Sequence, residues 1–339
     1  MRIKLTLTYC FFLSAFLVTG CNMGTSGTWK DENINKDFRN QISTLNHELF
    51  NSIMTKNIPE VKKLLSPGLI SAAGSSTDSL INKVAGALSP AGYSIVNEFY
   101  VKNTAVDIPN TVFSGLGSDR NDYAVTYKAL NKEMYVSVIK TKTSPSSVLI
   151  LAIYGRYGND WKINILRIGE YSMFGKTAPD YYEEAVKLNN SGDILDAANK
   201  MLLVDQLGAP GGDQMKYQNS DKMKDFYSKV LKTANTTYKF PLTVSQVKTH
   251  PQIFFVYPQY IGEPGHEGIY PALRYKSTIK LADTVALKAE NDALKKTIGQ
   301  VFKGIDQNNN VILYQAYNEF PNNANMRTIH HYGFIQKIK

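Results

Sequence analysis

Cysteine is nearly absent: the 339 residues contain two, Cys10 and Cys21, both at the N-terminal end. The folded part therefore has no thiols, which excludes a disulfide framework and a cysteine nucleophile and leaves stability to apolar cores. A phosphate-cradling GxxxxGK[ST] loop and a G-x-S-x-G nucleophile elbow are also missing, and no segment implies a cofactor. The formal charge is +9, but the 38 Lys and Arg residues are scattered without a dense run, so nucleic acid is not an expected partner. No apolar run reaches the roughly 20 residues that a membrane-spanning helix needs.

What is present begins with Arg2 and Lys4, then an apolar stretch from Leu5 to Val18 broken by Thr6, Thr8 and Ser14, ending in Val18-Thr19-Gly20-Cys21. Cations ahead of a short apolar segment and small residues at its end are the physical marks of an export signal. A plain secretory signal and a membrane anchor are the rival readings, and the anchor fails on length. The tail resembles the lipobox of bacterial lipoproteins. That resemblance implies removal of residues 1–20, with Cys21 becoming the first mature residue and carrying a diacylglyceryl group and a further fatty acyl chain of the palmitate type. Two or more chains anchor a protein stably without a spanning helix. Asn22, where an aspartate would favour retention, implies outer-membrane sorting in a cell that has one, on its periplasmic face or at the cell surface. The charge then falls from +9 to +7 as Arg2 and Lys4 leave. Such a balance reads first as an indifferent solvated surface, and next as one suited to anionic headgroups or cell-wall polymers.

Residues 21–35 are polar and glycine-bearing, and read as a flexible tether. Lys30-Asp31-Glu32 within them resembles the short tags of surface-exported lipoproteins. A helical period follows from Lys36 to Met54, on Phe38, Ile42, Leu45, Leu49 and Ile53, and a shorter one from Ile58 to Leu65, where Ser66-Pro67-Gly68 breaks it. Strand patterns occupy 93–101, 123–130, 133–140, 148–157 and 161–168, the last two joined at Gly158-Asn159-Asp160. Helices followed by an antiparallel meander predict an α+β layer pair over 36–175. The order over residues 36–171, with the Met54–Pro59 turn, resembles the NTF2-like (cystatin-like roll) superfamily. The resemblance implies a curved sheet forming a cone that is either filled or open to a ligand. Strict alternation sets Trp161, Ile163, Ile165 and Arg167 on one face of the last strand, making Trp161 and Arg167 a candidate anion site. The plainer reading is a rim arginine with a packed stem. No Asp-His pair appears among these strands, so nothing carries a catalytic role over from the superfamily.

Residues 176–237 read as a helical connector. Within it, 179–207 form a hairpin turning at Asn189–Asp193, similar to a single tetratricopeptide unit, and one unit is not an array. Gly208–Asp213 marks a break, and a helix follows from Lys222 to Ala234. Residues 238–339 predict a ββαββ unit, with strands at 253–257, 269–279, 311–317 and 328–335 and a helix from Asp283, its N-cap, to Phe302.

The remaining candidates for chemistry lie in that last unit. Glu263-Pro264-Gly265-His266-Glu267 puts two carboxylates and an imidazole in one loop, suited to acid/base work. His330 and His331 alternate on a predicted strand and point apart, so no metal is expected there. Asp306–Asn310 begins like a calcium loop, but Val311 replaces the glycine and Tyr317 the closing glutamate, which makes it a turn. Aromatics are plentiful, with 21 Tyr and 15 Phe. They serve strands and cores first, and binding only where an exposed cluster exists. The expectation is a non-catalytic, membrane-tethered envelope module that binds a protein partner or ligand. A hydrolase acting on envelope polymers is the alternative, and a helical hairpin gripping another envelope protein is a third reading.

Overall fold

The computed structural model describes residues 25–88, 90–322 and 328–338. The signal segment, Cys21 and Asn22 lie outside them. In chain order the elements are β1 (Thr25–Lys30), α1 (Lys36–Met54), α2 (Ile58–Leu64), α3 (Pro67–Ala73), α4 (Ser76–Val84), β2 (Tyr93–Asn103), β3 (Ile108–Phe113), β4 (Tyr123–Ala129), β5 (Glu133–Thr141), β6 (Ser146–Tyr157) and β7 (Asp160–Met173). There follow α5 (Ala178–Asn190), α6 (Ile194–Leu207), β8 (Met215–Tyr217), α7 (Ser220–Thr237), β9 (Leu242–Thr243), β10 (Gln252–Ile261), β11 (Gly268–Lys276), α8 (Thr284–Val301), α9 (Ile305–Asn308), β12 (Val311–Tyr317) and β13 (Tyr332–Lys337). The fold is α+β.

Strands β1-β2-β5-β6-β7 form an antiparallel sheet with both faces covered. On one face, α1 lays down Ile42, Leu49, Phe50 and Ile53, joined by Val61 of α2 and Ile81 of α4, over Tyr135, Ile150, Tyr154 and Trp161. Asn35 starts α1 by accepting a hydrogen bond from the Asp37 backbone N–H, at 2.8 Å, through its side chain. Polar groups also cross this layer. Asn46, fully buried, donates to Ser137 Oγ and accepts from Tyr154 Oη, each at 2.8 Å, tying α1 to β5 and β6.

The opposite face is covered by a three-stranded sheet, β3-β4-β8, and by α5 and α6, through Val125, Tyr127, Tyr181, Met201, Val204 and Leu207. Residues 123–130 are therefore not a member of the meander. Strand β4 is buried on alternate residues only, and that single face packs on the larger sheet as a separate layer. Two further expectations change. Helix α2 does end ahead of Ser66-Pro67-Gly68, but Pro67 also occupies the first turn of a further helix, α3, where its missing N–H costs nothing, and Ser66 Oγ caps Leu69 N at 3.2 Å. Within residues 25–35, read as a tether, β1 pairs with β2 from Thr25 to Lys30. The Asp31 carboxylate accepts from Glu98 N and the Asn97 amide, so the tag-like acid is engaged in the fold.

The ββαββ unit is present as β10, β11, α8, β12 and β13. Its sheet runs β13-β12-β11-β10-β9, and the α8 crossover makes β11 and β12 parallel. Leu287, Leu294 and Ile298 of α8 cover one face, over Leu273, Tyr275, Ile312 and Tyr314. Helix α6 joins the units, giving Leu195 to this core and Met201 to the first, so the connector's inner face is occupied by its own chain. Asp306–Asn310 is no cation loop: Asn308 and Asn309 donate to the buried Asp196 at 2.9 and 3.0 Å, and Asn308 also to Asp193 at 3.0 Å. Burial raises the Asp196 pKa.

Asn46→Ala is expected to lower unfolding free energy by about 2 kcal/mol, because two buried hydroxyls lose their partner, against about 1 kcal/mol for Tyr154→Phe. Urea denaturation of both variants checks the order.

Candidate functional site

Neither group of residues singled out from the sequence forms a shared site. Along β7 the register with β6 skips Asn164, since Ile153 faces Ile165 while Tyr154 faces Ile163. This bulge reverses the alternation. Trp161 and Ile163 lie in the helix-side core with Leu166, whereas Ile165 packs on the other side. Trp161 is buried edge-on to Phe38, Tyr100 and Tyr135 and donates to Gln41 Oε1 at 3.1 Å. Arg167, across the sheet, donates to the Leu166 carbonyl at 3.0 Å, and its stem lies 3.3 Å from where a Cβ on Gly212 would stand. The expected Trp161–Arg167 site is thus split between two layers. The bulge is held at Asn164, which accepts from Tyr157 Oη at 2.8 Å and donates to Asn131 Oδ1 at 2.7 Å.

Glu263, His266 and Glu267 form the β10–β11 turn. The Glu263 carbonyl accepts from His266 N at 2.9 Å and Glu267 Oε2 from Gly265 N at 3.1 Å, so the polar groups close the turn on itself. Both carboxylates face solvent. No hydrogen bond among the described residues joins the His266 ring to either acid. His330 and His331 precede β13 instead of lying in it.

What the fold does assemble is on the face of the C-terminal sheet away from α8. The β10–β11 register shifts between Ile253 and Phe255. Ile253 and Val256 therefore enter the core. Phe254 instead packs on Tyr317 and Phe320, both at 5.5 Å, and Phe255 stacks with Tyr257 at 5.3 Å. Arg274 of β11 sits among them, its guanidinium 4.6 Å from the Tyr257 ring centre and 5.9 Å from that of Phe255. Its Nε donates to Gln315 Oε1 at 3.0 Å and its Nη2 to Tyr257 Oη at 3.1 Å. Tyr257 Oη and Gln315 Nε2 in turn donate to Gln259 Oε1, at 2.8 and 3.1 Å. Lys276 lies 4.9 Å over Phe320.

Beside this network a cavity of about 410 Å³ is lined by Gln259, Glu263, Gln315, His331 and Gly333, among others. Gly333 opposes Gln315 across the β12–β13 pair, and a Cβ there would meet open space. His331 stacks on Tyr317 at 5.2 Å. Partial desolvation, then the Arg274 charge, hold its imidazole below its ordinary value. Burial raises the Tyr317 phenol, keeping it a neutral donor. A fixed cation, flat aromatic surface and oriented amides in one place can grip a planar or acidic group. The signal for Arg274 was in the sequence: it interrupts the apolar Leu273 and Tyr275 at strand spacing, but nothing local said which face α8 would cover.

No protein-family model matches the chain, and neither a curated protein nor a solved structure is significantly similar to it.

The lowered His331 pKa sets a pH effect. As pH falls through 6.5, the unfolded chain takes up a proton here before the native protein does, so stability present above that pH is lost on acidification towards the lower native value. His331→Gln should flatten this limb of the curve of melting temperature against pH.

Proposed function

We propose that the protein is a bacterial envelope lipoprotein, tethered to a membrane through Cys21, whose C-terminal sheet holds a protein partner. The observation that supports this reading is the preorganised Arg274–Tyr257–Gln315–Gln259 network amid exposed aromatic side chains. Interfaces concentrate their binding energy in Tyr, Arg and other large flat residues, and do so at low cost when these are already immobile. Phe255 is 47% exposed on this face, and its one ring contact among the described residues is with Tyr257. Neither Arg274 nor Lys276 meets a carboxylate among the described residues, so the complementary surface is one that presents acidic and aromatic side chains.

A photo-crosslinking phenylalanine analogue in place of Phe255 is expected to trap a discrete adduct in intact cells, and the same analogue at Leu116 none. Arg274→Ala should weaken binding of the partner so identified by about 2 kcal/mol, roughly thirtyfold, without shifting the melting temperature. Equal adducts at both positions would contradict the assignment to this face.

A further inference from the structure

We infer that the end of the first sheet at which the chain enters the fold is a membrane-facing rim that lies against an anionic bilayer surface. The inference rests on the reading of Cys21 as the lipid carrier.

Strand β1 begins at Thr25, four residues after Cys21, so the chain between them reaches at most about 14 Å. Thr25 pairs with Asn103 at the end of β2. Three turns share that end: 104–107 between β2 and β3, 130–132 between β4 and β5, and 158–159 between β6 and β7. Each turn or its flank presents one exposed apolar side chain, Val106 at 46%, Leu130 at 43% and Tyr157 at 41%. Single exposed apolar residues are ordinary, but one on each of three adjoining turns is a surface.

These turns are also fastened to each other. Asn110 Nδ2 donates to Asn103 Oδ1 at 2.9 Å, Asn103 Nδ2 to the Asn131 carbonyl at 2.9 Å and Asn131 Nδ2 to the Arg156 carbonyl at 3.0 Å. Asn164 Nδ2 completes the line on Asn131 Oδ1, while Tyr157 is anchored on Asn164. The chain of asparagines holds the three tips as one rigid rim. It explains why Gly155 has no side chain: a Cβ there would stand 2.0 Å from Asn131 Oδ1.

Charge at this end suits anionic headgroups. Lys102, Lys128, Lys132, Arg156 and Lys162 lie in or beside these turns, against Asp107, Glu133 and Asp160, and Lys162 donates to the Lys63 carbonyl at 2.7 Å. Asp107 pairs with Lys128 and Glu133 with Arg156, at 2.9 and 2.6 Å. Lys102 lies 5.9 Å over the half-exposed Trp29. Long cationic side chains around shallow apolar and aromatic tips are the composition that settles at a bilayer interface.

The test uses the mature chain from Cys21 onward, whose one thiol is coupled to a maleimide lipid in vesicles of phosphatidylethanolamine and phosphatidylglycerol, with and without brominated acyl chains. Leu130→Trp reports on the rim. Leu116→Trp reports from the opposite end of the β3–β4 hairpin, about 20 Å away, where Leu116 is 98% exposed. The added emission of Leu130→Trp should fall at least twofold with brominated lipid, that of Leu116→Trp should not, and Val106→Glu should abolish the difference with an unchanged melting temperature. Equal quenching at both positions, or none at Leu130→Trp, would overturn the proposal. Because the lipid is installed chemically, that failure stays separate from failure of the lipoprotein reading, which is scored by the mass of the N-terminal peptide extracted from cells.

Discussion

Strand β6 is buried over nine consecutive residues, from Ser147 to Gly155, and the rest of the architecture answers that constraint. A strand that is apolar on both faces needs a cover on each side, and a single layer of helices supplies one. The second comes from chain that follows later in sequence, β8, α5 and α6, together with the β3–β4 hairpin that leaves the main sheet to complete it. Because α6 is required there, its other end is free to seed the C-terminal core through Leu195, and the two units become joined.

Tyrosine shows how environment divides one residue type. Tyr135 and Tyr154 are fully buried in the helix-side layer, and burial drives their phenols far above the ordinary range, so both stay neutral. Tyr257, with the same chemistry, is half-buried on the face away from α8 and orients an arginine. The difference lies in which layers pack on which strands. Polar side chains serve an equally structural purpose: Asn46 in the core, Asp196 at the join and the asparagines along the sheet end each fix geometry that apolar contact alone leaves loose.

Elements with an uninterrupted period were legible. Helices α1, α5, α6 and α8 and the ββαββ order follow from apolar spacing, because a helix or strand with one buried face must repeat its apolar residues at 3.6 or 2. Legibility failed where one residue breaks the count. Asn164 inserts into β7 and sends Trp161 and Arg167 to opposite layers; Phe254 inserts into β10 and brings two adjacent phenylalanines to one face. It failed also where a residue has two local meanings, as with Pro67, which stops one helix and starts another. The site was the least legible part, since Arg274, Tyr257, Gln315 and Gln259 come from three strands with no shared motif.

By itself the sequence determined the class of fold, the lack of cysteines for a disulfide framework, the placement of the longer helices and the ββαββ order of β10, β11, α8, β12 and β13, all of which depend on neighbours along the chain. Tertiary structure alone decided which strands share a sheet, where the alternation reverses and which face of the C-terminal sheet α8 covers. Those outcomes depend on contacts between residues far apart in the chain. A bulge or an open face exists only when distant layers settle which side is buried.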